Sequence, residues 1–200
     1  MRISPVSATI AVALLGLGSL SALSAAELIK ADVEEPVLEE LMGGCSLKCA
    51  FRWYVEAVPG KGGKPQPIKA LNDESAQTPW TAPHAPRKGG VGTKLRLVFP
   101  KKLPAEVEGE TPVYGLDLIN GYWKNEELWS QYARVKKVRL YYNDKPLCDV
   151  AFADSRRWQR SLFPDQMVRS GDSMTIEILE VYPGKKQEVA ISELVLQGAH

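Results

Sequence analysis

The amino-acid sequence predicts an all-β domain of the sandwich or jelly-roll type. Apolar and polar residues alternate in several short stretches, as in strands that bury one face, and turn-forming Gly, Pro, Asn and Asp separate these stretches. The strand-like stretches lie at 51–58, 94–99, 113–118, 138–142, 147–152, 158–163, 174–181 and 189–196. Short strands at this spacing are typical of two packed sheets.

Residues 1–26 have the pattern of a secretory signal peptide. Arg2 precedes an apolar run at 10–20, and the small residues Ser24, Ala25 and Ala26 follow. The apolar run is too short to span a bilayer. We therefore expect a secreted or periplasmic protein that begins near Glu27 and has no transmembrane segment after cleavage.

An acidic leader is predicted at 27–48, ahead of a single domain at 49–198. Its first part sets Lys30 against a group of acidic residues: Glu27, Asp32, Glu34, Glu35, Glu39 and Glu40. We expect a solvated spacer, or a short helix opened by Pro36 and docked on the domain. The whole chain has 25 Lys plus Arg against 24 Asp plus Glu, so non-specific nucleic-acid binding is not favoured.

Three cysteines follow the predicted signal peptide. An oxidising compartment favours one disulfide bridge among Cys45, Cys49 and Cys148 and leaves one thiol over. Cys45 and Cys49 could pair locally, or one of them could pair with Cys148, and the sequence does not choose. The CxxxC spacing does not match a redox CxxC motif.

The stretch at 113–142 organises the rest of the chain. Its alternating apolar residues predict two strands, which a polar and aromatic-rich connection joins. Rings alternate with amide and guanidinium groups in this connection: Asn120, Tyr122, Trp123, Asn125, Trp129, Tyr132 and Arg134. Such rings can cover the apolar face of a sugar while the polar groups bind its hydroxyls. The alternative is that the rings wedge the loop onto the sandwich.

Four segments together resemble one domain family. They are the run at 115–137, with INGY at 119–122 and RVK at 134–136, then ALNDESAQTPW at 70–80, GGVG at 89–92 and EVYPGKKQEVAISEL at 180–194. As a set they are similar to the glycan-binding translocation domain that accompanies the catalytic part of NAD glycohydrolases, within the coagulation-factor type C superfamily. The resemblance implies a discoidin-like, galactose-binding-like jelly-roll β-sandwich. Glycohydrolase activity is not implied, because a separate domain carries it.

The resemblance also implies a structural calcium site. In discoidin-like folds the turn at 70–80 often wraps Ca²⁺, a cation that prefers oxygen ligands, and a glutamate near the last strand closes the shell. The matching positions are Asp73, Thr78 and Glu193. Glu74 stands where the family usually has glycine, which puts the tight turn in question. The alternative is an Asp-rich turn in which Thr78 caps its own backbone.

Several basic residues depart from the family pattern or lie in loops. After Trp80 the family's acidic stretch becomes basic, with His84 and Arg87, and we expect ligand preference to change if this loop lines the pocket. Ala133 stands where relatives often have asparagine. The basic pairs are expected to be solvated, and could attract anionic glycans if several met at one end of the sandwich: Lys101-Lys102, Arg156-Arg157 and Lys185-Lys186.

No catalytic constellation emerges from the sequence. Its two histidines are His84, in a proline-flanked loop, and His200 at the end of the chain, and neither lies near a GxSxG motif. Scattered carboxylates show no pair spaced for glycoside hydrolysis. The sequence therefore predicts a protein that is not an enzyme.

These observations predict a secreted, non-catalytic module that binds glycans through loops at one end of the sandwich. The stacking candidates are Tyr122, Trp123 and Trp129, and the hydroxyl-binding candidates are Asn120, Asn125 and Arg134. Further candidates are Trp80, His84, Trp158 and Tyr182. The alternative is an envelope-associated adaptor that keeps the fold, does not bind sugar and contacts a protein partner.

Overall fold

Two packed β-sheets make up the computed structural model, which describes residues 26–33, 53–58, 64–82, 88–99 and 109–198. The strands in these residues are β1 (Leu28–Lys30), β2 (Asp32–Val33), β3 (Tyr54–Ala57), β4 (Gln66–Pro67), β5 (Trp80–Thr81), β6 (Lys94–Val98), β7 (Thr111–Asn120), β8 (Arg134–Tyr142), β9 (Lys145–Ala151), β10 (Trp158–Val168), β11 (Ser173–Tyr182) and β12 (Ala190–Gly198). The helical elements are α1 (Glu126–Gln131) and two 3-10 turns, Lys69–Leu71 and Lys88–Gly90. The predicted all-β sandwich is confirmed.

The two strands of the central stretch belong to different sheets. Seven strands pair in the order β1-β9-β8-β11-β6-β3-β4, and five pair in the order β2-β10-β7-β12-β5. β8 lies in the larger sheet between β9 and β11, whereas β7 lies in the smaller sheet between β10 and β12. The connection from β7 to β8 therefore passes from one sheet to the other at the end of the sandwich.

The core lies between the sheets and follows the predicted alternation. Leu95, Leu97 and Phe99 at β6 are 0% exposed, and Val138 and Leu140 of β8 face the same core. Each large apolar side chain buried in this way stabilises the fold by about 1.5–3 kcal/mol. The period of two in these strands is thus explained by burial of one face.

The predicted acidic leader contains two strands of the domain. β1 pairs in parallel with β9, and β2 pairs antiparallel with β10, so the chain joins an edge of each sheet within six residues. Ile29 and Ala31 pack against the core. These residues are therefore part of the sandwich rather than a solvated spacer, because edge strands are held by backbone hydrogen bonds whatever their charge. The helix predicted after Pro36 and residues 1–25 lie outside the described residues.

Cys148 is a free thiol in the core. The side chain is 1% exposed in β9, and burial raises its pKa to about 12. A disulfide to Cys148 is thus not formed, and Cys45 and Cys49 lie outside the described residues. In the described ranges, no helix has the length and apolar character needed to cross a bilayer.

Candidate functional site

The connection after β7 begins with a turn that requires glycine. Gly121 has φ +74°, and a Cβ at this position would lie 2.8 Å from the Trp129 ring and from Cγ of Arg134. A larger residue would be strained at this φ and would also displace its neighbours. Gly121 therefore permits the close approach of Trp129 and Arg134.

Helix α1 follows and is capped by a predicted site residue. Asn125 has an extended backbone, and its Oδ1 accepts a hydrogen bond from the Leu128 amide at 2.8 Å. Glu126 and Glu127 occupy the first turn, where the helix dipole favours negative charge. The exposed Asn125 side chain thus uses its oxygen to start the helix.

Arg134 joins the separate loops at this end of the sandwich. Its Nε and Nη2 donate to the two carboxylate oxygens of Asp154 at 3.0 and 2.8 Å. Nη1 donates to the carbonyls of Tyr132 at 3.0 Å and Pro183 at 2.9 Å, and the guanidinium carbon lies 4.5 Å from the centre of the Trp129 ring. Bidentate pairs of this kind fix geometry strongly. Arg134 therefore acts as a buried connector, which we call the arginine hub, rather than as an exposed ligand contact.

Trp123 is held by a second guanidinium. Its Nε1 donates to the Arg156 carbonyl at 2.7 Å, while Nη2 of Arg156 donates to the Trp123 carbonyl at 2.7 Å. The Arg156 guanidinium carbon lies 5.2 Å from the Trp123 ring centre, and its Nη1 pairs with Glu126 at 3.2 Å. The Trp123 amide also donates to the Ser192 hydroxyl at 3.0 Å. Trp123 is thus half-buried and fixed at both ends.

Two tyrosines stack on each other at the surface of this region. The Tyr122 and Tyr132 ring centres are 4.9 Å apart at an interplanar angle of 29°, and both side chains are half-exposed. Nζ of Lys186 lies 4.4 Å from the Tyr132 ring centre and donates to its hydroxyl at 2.9 Å. This hydrogen bond raises the pKa of Lys186 above its ordinary value. We call Tyr122 and Tyr132 the tyrosine platform.

The other predicted ligand contacts lie in different surroundings. Asn120 is 0% exposed and exchanges two hydrogen bonds with the Val135 backbone, and Trp158 is 2% exposed and donates to Asp117. Neither side chain reaches the surface, because both satisfy polar groups inside the sandwich. Trp80 is half-buried against the core, and the half-buried Tyr182 donates its hydroxyl to the Phe152 carbonyl at 3.0 Å. His84 lies outside the described residues.

The three predicted calcium ligands meet at one turn. The Ser75 amide donates to Oδ1 of Asp73 at 3.0 Å and to Oε2 of Glu193 at 3.3 Å. The Thr78 hydroxyl donates to Oδ2 of Asp73 at 2.6 Å. Glu74 has φ +63°, so the turn keeps the left-handed residue that glycine usually supplies. Hard oxygen donors of this type suit Ca²⁺.

Carboxylates alone do not build a metal site in the described part of the chain. No group of three or more His, Cys, Asp and Glu side chains there is placed to hold a metal ion. The Thr78 hydroxyl and backbone carbonyls would therefore have to complete a calcium shell with Asp73 and Glu193. With those hydroxyl and carbonyl oxygens included, the oxygen donors at this turn fit Ca²⁺.

The sequence did not assign Asp154 or Gly184 to this end, and it named Lys186 only as part of a basic pair. Asp154 holds the arginine hub, and Lys186 contacts the tyrosine platform. A Cβ on Gly184 would lie 2.2 Å from the Tyr132 carbonyl carbon, so Gly184 permits the loop after β11 to approach the platform. The basic pairs Arg156-Arg157 and Lys185-Lys186 in the sequence indicated residues of this end, since one member of each pair lies over an aromatic ring of the connection.

Solved structures similar to this chain come from carbohydrate-binding proteins. The CBM32-1 and CBM32-2 domains of Clostridium perfringens ZmpB, solved in complex with GalNAc, are 9% identical with a TM-score of 0.52, over 88% of this chain and 41% of that chain. The same domains without the sugar are 10% identical with a TM-score of 0.53, over 88% and 42%. CBM32-3 from a family 31 glycoside hydrolase of Clostridium perfringens is 13% identical with a TM-score of 0.47, over 73% and 92%.

The likeness to the ZmpB structures establishes the fold, and a sequence comparison establishes the family. The chain spans about two fifths of the length of the ZmpB structures that it matches. No curated protein matches the chain. The family model described as NAD glycohydrolase translocation F5/8 type C domain matches residues 55–197, which confirms the resemblance seen in the sequence. The chain therefore belongs to the NAD glycohydrolase translocation F5/8 type C domain family.

Proposed function

We propose that this protein is an exported, non-catalytic carbohydrate-binding module whose ligand binds at the tyrosine platform. The observation that carries the proposal is the stacked, half-exposed pair Tyr122 and Tyr132, at the end of the sandwich where three loops converge. An aromatic ring with a polar end can cover the apolar face of a sugar and bind a hydroxyl at its edge. The similar fold of the ZmpB domains, solved with GalNAc, supports this class of ligand.

The surroundings of the platform favour a rigid binding surface. The arginine hub and the Trp123–Arg156 pair use their polar groups within the protein, so Trp123 and Trp129 support the loops. Rigid loops lose less conformational entropy when a ligand binds. The proposed contacts are therefore Tyr122 and Tyr132, together with the exposed Asn125 at the start of α1.

A non-catalytic role is supported by how the nearby acids are used. Asp154 forms a bidentate pair with Arg134, and Glu126 pairs with Arg156. A general acid or nucleophile would need a carboxylate directed at a substrate rather than at an arginine. Export is proposed from the signal-peptide pattern at 1–26.

A glycan array followed by titration calorimetry tests the proposal. We expect Tyr122→Ala to weaken binding of an array hit by about tenfold, because removal of a stacking ring costs about 1.4 kcal/mol. Tyr54→Ala is the matched control, since Tyr54 is 39% exposed and lies at the opposite end of the sandwich. Tyr54 pairs with Val98, which pairs with the first residue of β11, whereas Arg134 pairs with the last residue of β11. Equal affinity of the wild type and Tyr122→Ala would contradict the proposed site.

A second candidate function has one specific observation in its favour. Leu162 and Met167 of β10 are 58% and 47% exposed, and apolar side chains on a sheet face can contact a protein. The adaptor would be favoured over the glycan-binding module by two results together. No glycan on the array binds, and a protein partner that the wild type captures is no longer captured by Leu162→Ser.

We also propose that the turn around Ser75 binds calcium. Asp73, Glu193 and the Thr78 hydroxyl would hold the ion, and its role would be to stiffen the turn against β12. The left-handed Glu74 supports this proposal, since the tight turn persists without glycine.

A further inference from the structure

The cations at the platform end differ in how their charge is balanced. Arg134 pairs with Asp154 at 2.8 Å, Lys136 with Glu180 at 2.8 Å and Arg156 with Glu126 at 3.2 Å. Lys186 instead donates to the neutral hydroxyl of Tyr132 and has no ion pair among the described residues, although the nearby charge of Glu188 also acts on it. Lys186 therefore brings to the tyrosine platform a positive charge that no direct ion pair in the described residues neutralises.

The main chain at Lys186 is held close to the tyrosine platform. The Lys186 amide donates to the Gln131 carbonyl at 2.7 Å, at the end of α1. Gly184 packs so closely on Tyr132 that a Cβ would overlap the Tyr132 backbone. Because Tyr132 also raises the pKa of Lys186, the side chain stays charged over the platform. The next residue toward the N-terminus, Lys185, is also exposed.

We infer that the tyrosine platform selects acidic glycans, whose carboxylate or sulfate group binds the Lys186 ammonium. This inference rests on the proposed glycan-binding function and specifies its ligand class. The ammonium can donate a hydrogen bond to either an anion or a sugar hydroxyl, but only the anion adds a direct attraction between opposite charges, so an anionic group gains more from this position. Lys186 over one ring also reduces the bare aromatic surface that a neutral sugar would cover.

Titration calorimetry of the mature chain against three polysaccharide fragments of matched length tests the inference. The probes are oligogalacturonate, a sulfated galactan and a neutral galactan, which separate carboxylate, sulfate and neutral ligands. We expect at least one acidic probe to bind about tenfold more tightly than the neutral probe in low salt, with an affinity that falls as salt rises. Lys186→Gln should remove this preference, and Lys186→Arg should retain it.

Lys145→Gln is the matched control for loss of charge. Lys145 is exposed at the start of β9, where it pairs with Tyr142, roughly 25 Å along β8 from Arg134. We expect it to leave the preference unchanged. If Lys186→Gln does not fold, the salt dependence of the wild type decides, since affinity for an acidic probe must fall while affinity for the neutral probe does not.

The outcomes separate this inference from the function beneath it. Equal binding of acidic and neutral probes, or equal losses for both in Lys186→Gln, overturns the acidic preference and leaves the glycan-binding module standing. If none of the probes binds and the glycan array is also blank, the function itself fails.

Discussion

Replacing Asp154 with alanine tests whether the arginine hub organises the functional end of the sandwich. The change removes two hydrogen bonds of 3.0 and 2.8 Å to Arg134. The Arg134 side chain is 9% exposed, and the carbonyls of Tyr132 and Pro183 also accept hydrogen bonds from it. A guanidinium charge would then remain buried without a carboxylate, which is unfavourable.

The expected loss lies between those of a buried and a surface ion pair. Breaking a buried pair costs about 3–5 kcal/mol, whereas a surface pair contributes about 0–1 kcal/mol. Asp154 is 36% exposed, so water screens one side of the pair, and two carbonyl bonds still hold Arg134. We therefore expect the free energy of unfolding to fall by about 2 kcal/mol, which lowers the Tm by about 4–8 °C for a domain of this size.

Urea and thermal unfolding of a small variant set measure this loss. Asp154→Asn keeps one acceptor and should lose about half as much as Asp154→Ala. Asp165→Asn is the control, because Asp165 is exposed on β10 and the same charge is removed there with little effect. If Asp154→Ala unfolds within 0.5 kcal/mol of the wild type, roughly the error of such measurements, Arg134 is not held by this pair and the hub is refuted.

Three further predictions concern the turn, the metal and the acid range. Gly121→Ala should lower the free energy of unfolding by about 2–4 kcal/mol, because strain at positive φ adds to the overlap with Trp129; a Tm like that of the wild type would contradict this. If the Ser75 turn binds calcium, a chelator should lower the Tm of the wild type but not that of Asp73→Asn, since a bound ligand stabilises the folded state by mass action. A wild-type Tm that does not change with chelator would exclude calcium. Burial raises the pKa of Asp149, but hydrogen bonds from Arg139 and Lys137 outweigh burial and lower it below 3.8. Its stabilising contribution is therefore present above that pH and lost as the pH falls towards the folded-state pKa, so acid unfolding curves of Asp149→Asn should depend less on pH below about 4 than those of the wild type.

The long strands were predictable because burial of one face imposes a period of two. Leu95, Leu97 and Phe99 show it clearly, and all three face the core. β1 and β2 were not predictable in the same way. They are three and two residues long, too short for a period to show, and their acidic neighbours indicated a solvated spacer. Their place in the sheets comes from backbone pairing, which depends little on side-chain identity.

The clustering of rings in one connection was predictable, but the packing of each ring was not. A cluster of aromatic and amide side chains at 120–134 predicted the connection that carries the proposed site. Whether a side chain of the connection is held within the protein or exposed depends on contacts with distant segments. Asp154 lies 20 residues after Arg134, Arg156 lies 33 after Trp123, and Lys186 lies 54 after Tyr132. Such contacts depend on the tertiary fold, which local patterns do not encode.

The passage from one sheet to the other explains why this connection needs so many attachments. A strand has the same period of two in either sheet, so the sequence could not show that β7 and β8 belong to different sheets. The connection is fixed to the smaller sheet through Ser192, whose hydroxyl contacts Trp123 and Gly121, and to the loop after β11 through Arg134 and Pro183. Because both attachments order the tyrosine platform before a ligand arrives, less ordering entropy remains to oppose binding. Loosening either attachment should therefore weaken glycan binding together with stability, whereas loss of the Tyr122 ring should weaken binding far more than stability.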